Sequence, residues 1–246
     1  MTDRDDLAYT LNPMQWDTDF FGLSCAKAVL ARPLSKEDWS ELKSRLDKFQ
    51  LVYLENQNSL PVNARLIGLE TSAYLVDVNV QFSKQLLGTN AQTDNIQIMN
   101  PMPYEERLLD LVEYKWSRFT DDPGLSSRGG DQVYRQWLIN AFNKEDKHCA
   151  LSLDQNGKII GYLLHSYAGS ACRIELIASS PDRAGRGVGT SLVKAVAQAA
   201  YQRGMEAIQV GTQLRNLVAI NFYHRLGFMQ VGSHQIYHLW NIEAKQ

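Results

Sequence analysis

The clearest chemical pattern in the chain runs from 180 to 190: Ser180-Pro181-Asp182-Arg183-Ala184-Gly185-Arg186-Gly187-Val188-Gly189-Thr190. Alternating glycines let backbone approach a ligand closely, and a helix starting directly after them offers unpaired N–H groups and the positive end of its dipole. That combination suits an anion, and the segment reads as a cradle for a pyrophosphate. It is not a P-loop, because no lysine precedes Thr190. Nor is it a dinucleotide fingerprint, because Gly187-x-Gly189 lacks a third glycine and the strands before it read as hairpins. Asn216 and Tyr223 are seven residues apart in a helical stretch, which puts them on one face about 10 Å apart along the axis. Both can face one extended ligand; the alternative for Tyr223 is a core aromatic beside Phe222 and Phe228. Glu175 stands on the polar face of a strand, where a carboxylate can remove a proton from an ammonium or pair with Arg173 or a neighbouring lysine.

Other constellations fail. His234 and His238 are four apart but lie in strand-like sequence with no glutamate between them in the zinc-protease manner, so no metal site is expected. Cys25, Cys149 and Cys172 are three in number and widely spaced, which gives neither a disulfide framework nor a zinc site. No G-x-S-x-G elbow occurs. His165 shares its strand face with Leu163 and Tyr167 and reads as a satisfied sheet histidine.

The elements that must position these groups follow from periodicity. Residues 148–154 and 158–167 flank Gln155-Asn156-Gly157, the strongest short signal for a β-hairpin. Ala168-Gly169-Ser170 then leads into 171–178, where Cys172, Ile174, Leu176 and Ala178 alternate with Arg173, Glu175 and Ile177, so three antiparallel strands are expected in succession. After the glycine loop, Leu192, Val193, Val196, Ala199 and Ala200 recur at helical spacing, with Gly204 as the cap. A strand at 206–211 follows, then a helix from 217 to 226 with Asn216 as N-cap and Gly227 as its stop, then strand stretches at 228–232 and 235–240. Upstream, 103–119 and 131–142 read as amphipathic helices, and the polar 86–102 as a linker. Before it, 35–50 reads as a helix and 51–55 and 72–82 as strands. Arg65-Leu66-Ile67-Gly68 before a long strand echoes Arg225-Leu226-Gly227-Phe228, which suggests a decayed half-copy.

With 246 residues, 44% of them apolar and 21% charged, the chain is long enough for one enlarged globular domain. Twenty-five basic against twenty-seven acidic residues give a net charge of −2, so no overall field draws it to nucleic acid or an anionic membrane. Asp3, Asp5 and Asp6 stand where a secretory signal needs a basic start, and no apolar run approaches the ~20 residues of a membrane span, so a cytoplasmic protein without membrane insertion is expected.

The glycine loop in its strand-to-helix setting resembles motif A of the GCN5-related N-acetyltransferases. Asn216-Leu-Val-Ala-Ile-Asn-Phe-Tyr223-His-Arg-Leu-Gly227-Phe228 resembles motif B of the same family, N-x-x-A-x-x-F-Y-x-x-x-G-F, at every marked position. The resemblance implies an α+β fold: a mixed, mostly antiparallel sheet flanked by helices over 101–246, preceded by a smaller α/β domain at 1–100 on the acceptor side. It also implies acetyl-CoA as cosubstrate, held by Arg183, Gly185, Arg186, Gly187, Val188, Gly189 and Thr190 at the pyrophosphate and by Leu176, Ile177 and Ala178 along the thioester. Asn216 then bonds the pantetheine arm, and Tyr223, a phenol with a pKa near ~10, protonates the departing thiolate. Ala184 occupies the position where the family usually has Arg or Gln; Arg183 or Arg186 can supply that charge instead, and because backbone amides do most of this binding, affinity is expected to be affected more than function.

Trp16-Asp17-Thr18-Asp19-Phe20-Phe21-Gly22, Ser117-Arg118-Phe119, Tyr134-Arg135-Gln136-Trp137 and Gly211-Thr212-Gln213 together resemble the TDP-fucosamine acetyltransferases. That resemblance implies transfer to the 4-amino group of a dTDP-linked 4-amino-4,6-dideoxy sugar used for surface polysaccharide. Trp16, Phe20 and Phe21 would give a stacking surface, Arg118 a partner for the nucleotide pyrophosphate, and Gln213 a further acceptor contact; the alternatives are an apolar plug between the two halves and an ion-paired helix end. A sugar amine is less basic than lysine, so water can serve in place of a strong base. Two other functions stay open, acetylation of a peptide, protein or other small amine, and a non-catalytic CoA-binding regulatory module. A homodimer is likewise left open.

Overall fold

The computed structural model describes residues 7–88, 95–112 and 116–241. Asp3, Asp5 and Asp6 lie outside the described residues. The first half runs β1 (Tyr9–Pro13), α1 (Gln15–Phe21), β2 (Cys25–Leu30), α2 (Lys36–Leu46), β3 (Leu51–Asn56), α3 (Pro61–Glu70) and β4 (Tyr74–Gln85). Next come β5 (Ile96–Met99), α4 (Arg118–Asp121), α5 (Pro123–Ser126) and α6 (Val133–Ala141). The remainder is β6 (His148–Leu153), β7 (Ile159–Ala168), β8 (Ala171–Ser179), α7 (Val188–Gln202), β9 (Ala207–Gln213), α8 (Leu217–Arg225) and β10 (Met229–Trp240).

Local chemistry sets the helix ends. Ser35 and Asp38 form a reciprocal capping box at the start of α2, and Asn216 Oδ1 accepts from the Ala219 amide at 3.1 Å to begin α8. Gly204, at φ +77°, turns the chain out of α7 in a conformation other residues take at a cost.

The ten strands among the described residues form one sheet, ordered β1-β2-β3-β10-β4-β9-β8-β7-β6-β5. Helices α7 and α8 cover one face, where Leu192, Val193, Val196 and Tyr223 pack with Phe82, Val210 and Phe228. Each such aliphatic side chain stabilises the fold by roughly 1.5–3 kcal/mol on burial. The opposite face is covered by α6 and by a 3-10 turn at Glu106–Leu111, which bury Leu108, Leu109 and Leu138 against Tyr162, Leu164 and Leu176. Trp39, Leu42 and Leu46 of α2 form a further core with Val52 and Leu54 of β3 and Tyr237 and Leu239 of β10.

The strand order has an internal two-fold pattern. The succession β2-α2-β3-α3-β4 repeats as β8-α7-β9-α8-β10, and in each half the two strands flanking the first helix pair in parallel. The closing strands are exchanged: β4 lies against β9 of the second half and β10 against β3 of the first, with β4 and β10 antiparallel at the centre. The echo at Arg65 and Arg225 falls at the matching entries to β4 and β10. The sheet therefore runs unbroken across the two halves expected from sequence.

Three sequence expectations differ from the structure. Residues 103–119 do not form one helix: a 3-10 turn ends at Leu111, 113–115 lie outside the described residues, and the four-residue α4 starts afresh where Ser117 Oγ accepts from the Phe119 amide at 3.1 Å. The tighter turn still buries adjacent leucines, which mimics helical periodicity. Part of the expected linker is β5, an edge strand whose Ile96 and Ile98 alternation is short and embedded in polar sequence; 89–94 lie outside the described residues. The last two strand stretches are the single strand β10, with register shifts at Gly232 and Tyr237. No helix among the described residues is long and apolar enough to cross a membrane.

Candidate active site

The parallel pairing of β8 with β9 stops at Ile174 and Val210, although β8 continues to Ser179 and β9 to Gln213. From Glu175 onward the two strands separate, so the β9-facing edge of Leu176, Ile177 and Ala178 has backbone groups with no strand opposite. β8 remains bonded to β7 on its other side through Leu163↔Ile177 and Tyr162↔Ala178. The equivalent pair in the first half, β2 with β3, stays in register from Cys25↔Leu51 to Leu30↔Asn56, and its following connection, 31–35, contains no glycine. The opening belongs to the second half.

The glycine loop lies at the end of the separated β8. Gly185 and Gly187 have φ of +75° and +83°, conformations that strain any residue with a Cβ. Gly187 is the N-cap of α7 and no side chain among the described residues caps that helix, so the amides of Val188, Gly189 and Thr190 are left over at its first turn. Gly189 serves packing: a Cβ there would lie 3.2 Å from Phe222 Cζ. Arg183 turns away toward Asp182 at 3.5 Å and Asp154 at 3.9 Å, whereas Arg186 is exposed with no ion pair among the described residues. Of the two arginines, Arg186 is the one whose charge is free for an anion. Sequence reasoning missed Gly161 of β7, where a Cβ would meet Val188 Cγ1 at 2.7 Å; its signal was an isolated glycine in a strand.

Tyr223 is 3% exposed, its ring 5.7 Å from Phe82, 5.2 Å from Phe222 and 5.5 Å from Phe228. Its hydroxyl has no hydrogen-bond partner among the described residues, and burial pushes its pKa above the usual phenol value, so it keeps its proton throughout the neutral range. Asn216 uses Oδ1 as the helix cap and has its amide nitrogen left over.

On the opposite face of the opening, Glu175 Oε1 accepts from Lys147 Nζ and Ser166 Oγ, both at 2.5 Å, while Oε2 carries no bond among the described residues. Trp137, Asn140, Lys147, Glu175 and Leu176 line a groove of about 340 Å³ here. Gln213 Nε2 donates to Tyr134 Oη at 3.3 Å, linking the end of β9 to α6. Trp16 stacks on Phe20 at 4.9 Å and lies 6.1 Å from Trp137. Phe21, only 4% exposed, packs on Phe119 and offers no face to a ligand. These aromatics join α1 to α4 and α6 across the two halves. The Arg118 guanidinium lies 4.5 Å from the Phe119 ring centre and 5.7 Å from that of Tyr53.

A buried network beside this face had no clear sequence signal beyond the turn-like Asp122-Pro123-Gly124. Asp122 Oδ2 accepts from His238 Nδ1 at 2.5 Å, Tyr74 Oη at 2.9 Å and Trp240 Nε1 at 3.0 Å, and Oδ1 from the amides of Gly124 and Leu125. Burial alone would raise the Asp122 pKa, but these donors outweigh it and hold the group at about 2. Burial lowers the His238 pKa, and the Asp122 carboxylate, an acceptor, favours the tautomer with its proton on Nδ1. His165 is fully buried with Nε2 3.3 Å from Tyr167 Oη, but Nδ1 is unpartnered; burial and nearby His148 lower its pKa to about 4.

Comparison with known proteins adds to this geometry. Residues 108–228 match the model of the acetyltransferase (GNAT) family. The dTDP-fucosamine acetyltransferase of Escherichia coli is 26% identical over 226 residues, covering 89% of this chain and 92% of that protein. The spore coat polysaccharide biosynthesis protein SpsD of Bacillus subtilis is 29% identical over 126 residues, which span 50% of this chain but only 43% of that relative. A GCN5-related N-acetyltransferase from Sphaerobacter thermophilus superposes with a TM-score of 0.62 at 15% identity, over 96% of this chain and 78% of its own.

Proposed function

The chain carries an acetyltransferase domain of the GNAT family, and we propose that it moves the acetyl group of acetyl-CoA to the 4-amino group of a dTDP-linked 4-amino-4,6-dideoxy sugar. The observation that carries the transfer is the separation of β8 from β9 beyond Ile174 and Val210, at the mouth of an uncapped helix N-terminus. The acceptor reading is supported by similarity along both halves to the dTDP-fucosamine acetyltransferase.

The residues present fit the donor. The amides of Val188, Gly189 and Thr190, with the Arg186 guanidinium, bind the pyrophosphate; the Asn216 amide nitrogen bonds the pantetheine arm. Backbone N–H groups on the free edge of Leu176–Ala178 hold the thioester carbonyl and stabilise charge that develops on its oxygen. Glu175 Oε2 takes the ammonium proton of the acceptor, directly or through water, while Lys147 and Ser166 fix the other oxygen. The neutral amine attacks from the groove at Trp137 and Asn140. Tyr223 gives its phenolic proton to the leaving sulfur and is reprotonated by the excess proton on the acylated nitrogen, relayed through water, while the proton held by Glu175 passes to solvent. Near-neutral overall charge suits a small nucleotide-sugar partner, and the first half covers the acceptor side of the cleft.

Thiol release from acetyl-CoA with a panel of dTDP-amino sugars, free amino sugars, amino acids and lysine peptides tests this reading. Turnover of a peptide with none of any amino sugar would replace the acceptor; no turnover with tight acetyl-CoA binding would favour a regulatory CoA-binding module.

A further inference from the structure

Asp77 is 9% exposed and its Oδ2 is buried with no hydrogen-bond partner. His238 Nε2 and Arg118 Nε are buried and unpartnered as well. A buried polar group left unpaired is costly; of the nine such side-chain atoms among the described residues, these three, from β4, α4 and β10, fall together, with Tyr53 Oη beside them. They are neighbours. Arg118 is close enough to Asp77 and to His238 to bias the titration of both, and Ile236, two residues before His238, pairs directly with Asp77. Burial raises the Asp77 pKa, with Arg118 and Arg215 opposing it and Asp121 adding to it; Tyr134 of α6 also senses Asp77, and Asp17 and Tyr53 sense Arg118.

The register relates this cluster to the opening. Continuing the parallel pairing sets Ile177 level with Gln213, Gln213 pairs with Asn79, and Asp77 lies two residues further along β4. Two strand spacings across and two residues along would give about 12 Å, and the separation of β8 from β9 beyond Ile174 and Val210 makes the distance from Asp77 to the free edge at Ile177 at least that. That is about the span of one pyranose ring plus the reach of a side chain at each end.

We propose that Asp77, Arg118 and His238 form the subsite for the hydroxyl groups of the acceptor, so that the enzyme selects a polyhydroxylated amine. A hydroxyl donates to Asp77 Oδ2 or His238 Nε2 and accepts from Arg118 Nε–H, and vicinal hydroxyls satisfy all three atoms together. The Gln213 to Tyr134 bond, long at 3.3 Å, is the contact exchanged as the acceptor enters. The inference rests on the amine-acceptor reading above, but on no particular nucleotide. Selectivity of this kind is strong because a site built for hydroxyls is left with unpaired groups when they are absent.

Kinetics of Asp77→Asn and of deoxygenated acceptors test the subsite. With dTDP-4-amino-4,6-dideoxygalactose, or with glucosamine if that is the amine turned over, Asp77→Asn should raise the acceptor KM about 10- to 100-fold, the worth of a hydrogen bond to a charged group. The acetyl-CoA Kd should stay within about twofold, and Tm should hold or rise by a few degrees, because the replaced carboxylate is buried without a partner. An acceptor lacking one ring hydroxyl should lose a similar factor on the wild-type enzyme and little further on Asp77→Asn. Unchanged acceptor KM in the variant, or equal use of the deoxygenated acceptor by the wild type, would overturn the subsite while leaving acetyl transfer standing. If Asp77→Asn does not fold, the wild-type comparison decides alone, and a lysine peptide used as well as any hydroxylated amine would also overturn it.

Discussion

A side chain on Gly189 would begin 3.2 Å from the ring of Phe222. Helix α7, which starts at the glycine loop, and helix α8, which carries Tyr223, therefore approach so closely that a Cβ would push the ring back by a few tenths of an ångström. The proposed phosphate cradle and the proposed acid are set against each other by that contact, one residue from Val188 on one side and one residue from Tyr223 on the other.

Gly189→Val should separate the two helices. Overpacking of this kind costs about 1–3 kcal/mol, and the strain falls where the donor binds. Acetyl-CoA Kd, read by calorimetry, should rise about tenfold or more while the protein remains folded. Unchanged affinity would mean that α7 and α8 part without disturbing the cradle.

Tyr223→Phe keeps the ring against Phe82 and Phe228 and removes only the proton donor. If the hydroxyl serves as acid, kcat should fall about 10²-fold or more with little change in acetyl-CoA Kd. An undiminished kcat would leave Tyr223 as a core aromatic and nothing else.

Asp122→Asn should destabilise the protein, since one carboxylate accepts from His238, Tyr74, Trp240 and two amides at full burial. Hydrogen bonds to a charged group are worth about 1.5–3 kcal/mol each when lost, and the neutral amide keeps part of them, so a total of ~3 kcal/mol is expected in urea unfolding. The folded pKa of about 2 lies below the unfolded value, so this stabilisation is present above about pH 4 and is lost as pH falls toward 2. The difference between wild type and variant should narrow across that window.

His165 titrates with the same dependence on pH in a higher window. Its folded pKa of about 4 lies below the unfolded value near ~6.5, so the unfolded chain binds more protons between them and stability falls as pH falls. Asp77 and Asp17, whose pKa values burial raises, act in the opposite direction, so the His165 contribution is read as a difference. The stability of wild type relative to His165→Gln should drop by up to ~3 kcal/mol between pH 7 and pH 4.5. A flat difference would mean that His165 takes up its proton in the native protein as readily as in the unfolded chain.

The second half was largely legible in sequence because its signals are local. An Asn-Gly turn, period-2 strands, a glycine loop and an Asn-capped helix each declare themselves within a dozen residues, and the helix from Leu217 begins where Asn216 caps it. What was not legible depends on distant partners. That β4 would enter the second half's sheet beside β9, or that Asp122 would meet His238 across 116 residues, has no local signature. Glu175 shows the same limit at the site: its strand position was readable, but Lys147 and Ser166 on its Oε1 required the fold. The leucines at 108, 109 and 111 looked helical because a 3-10 turn buries nearly the same spacing.

The most direct measurement is mass spectrometry of the product formed from acetyl-CoA and dTDP-4-amino-4,6-dideoxygalactose by the purified protein, with thiol release followed in parallel. Acetyl transfer by the second half to a sugar amine predicts a nucleotide sugar one acetyl group heavier, formed in equal amount to free CoA and nearly abolished in Tyr223→Phe. CoA release without an acetylated sugar, or acetylation of a peptide in its place, would contradict it.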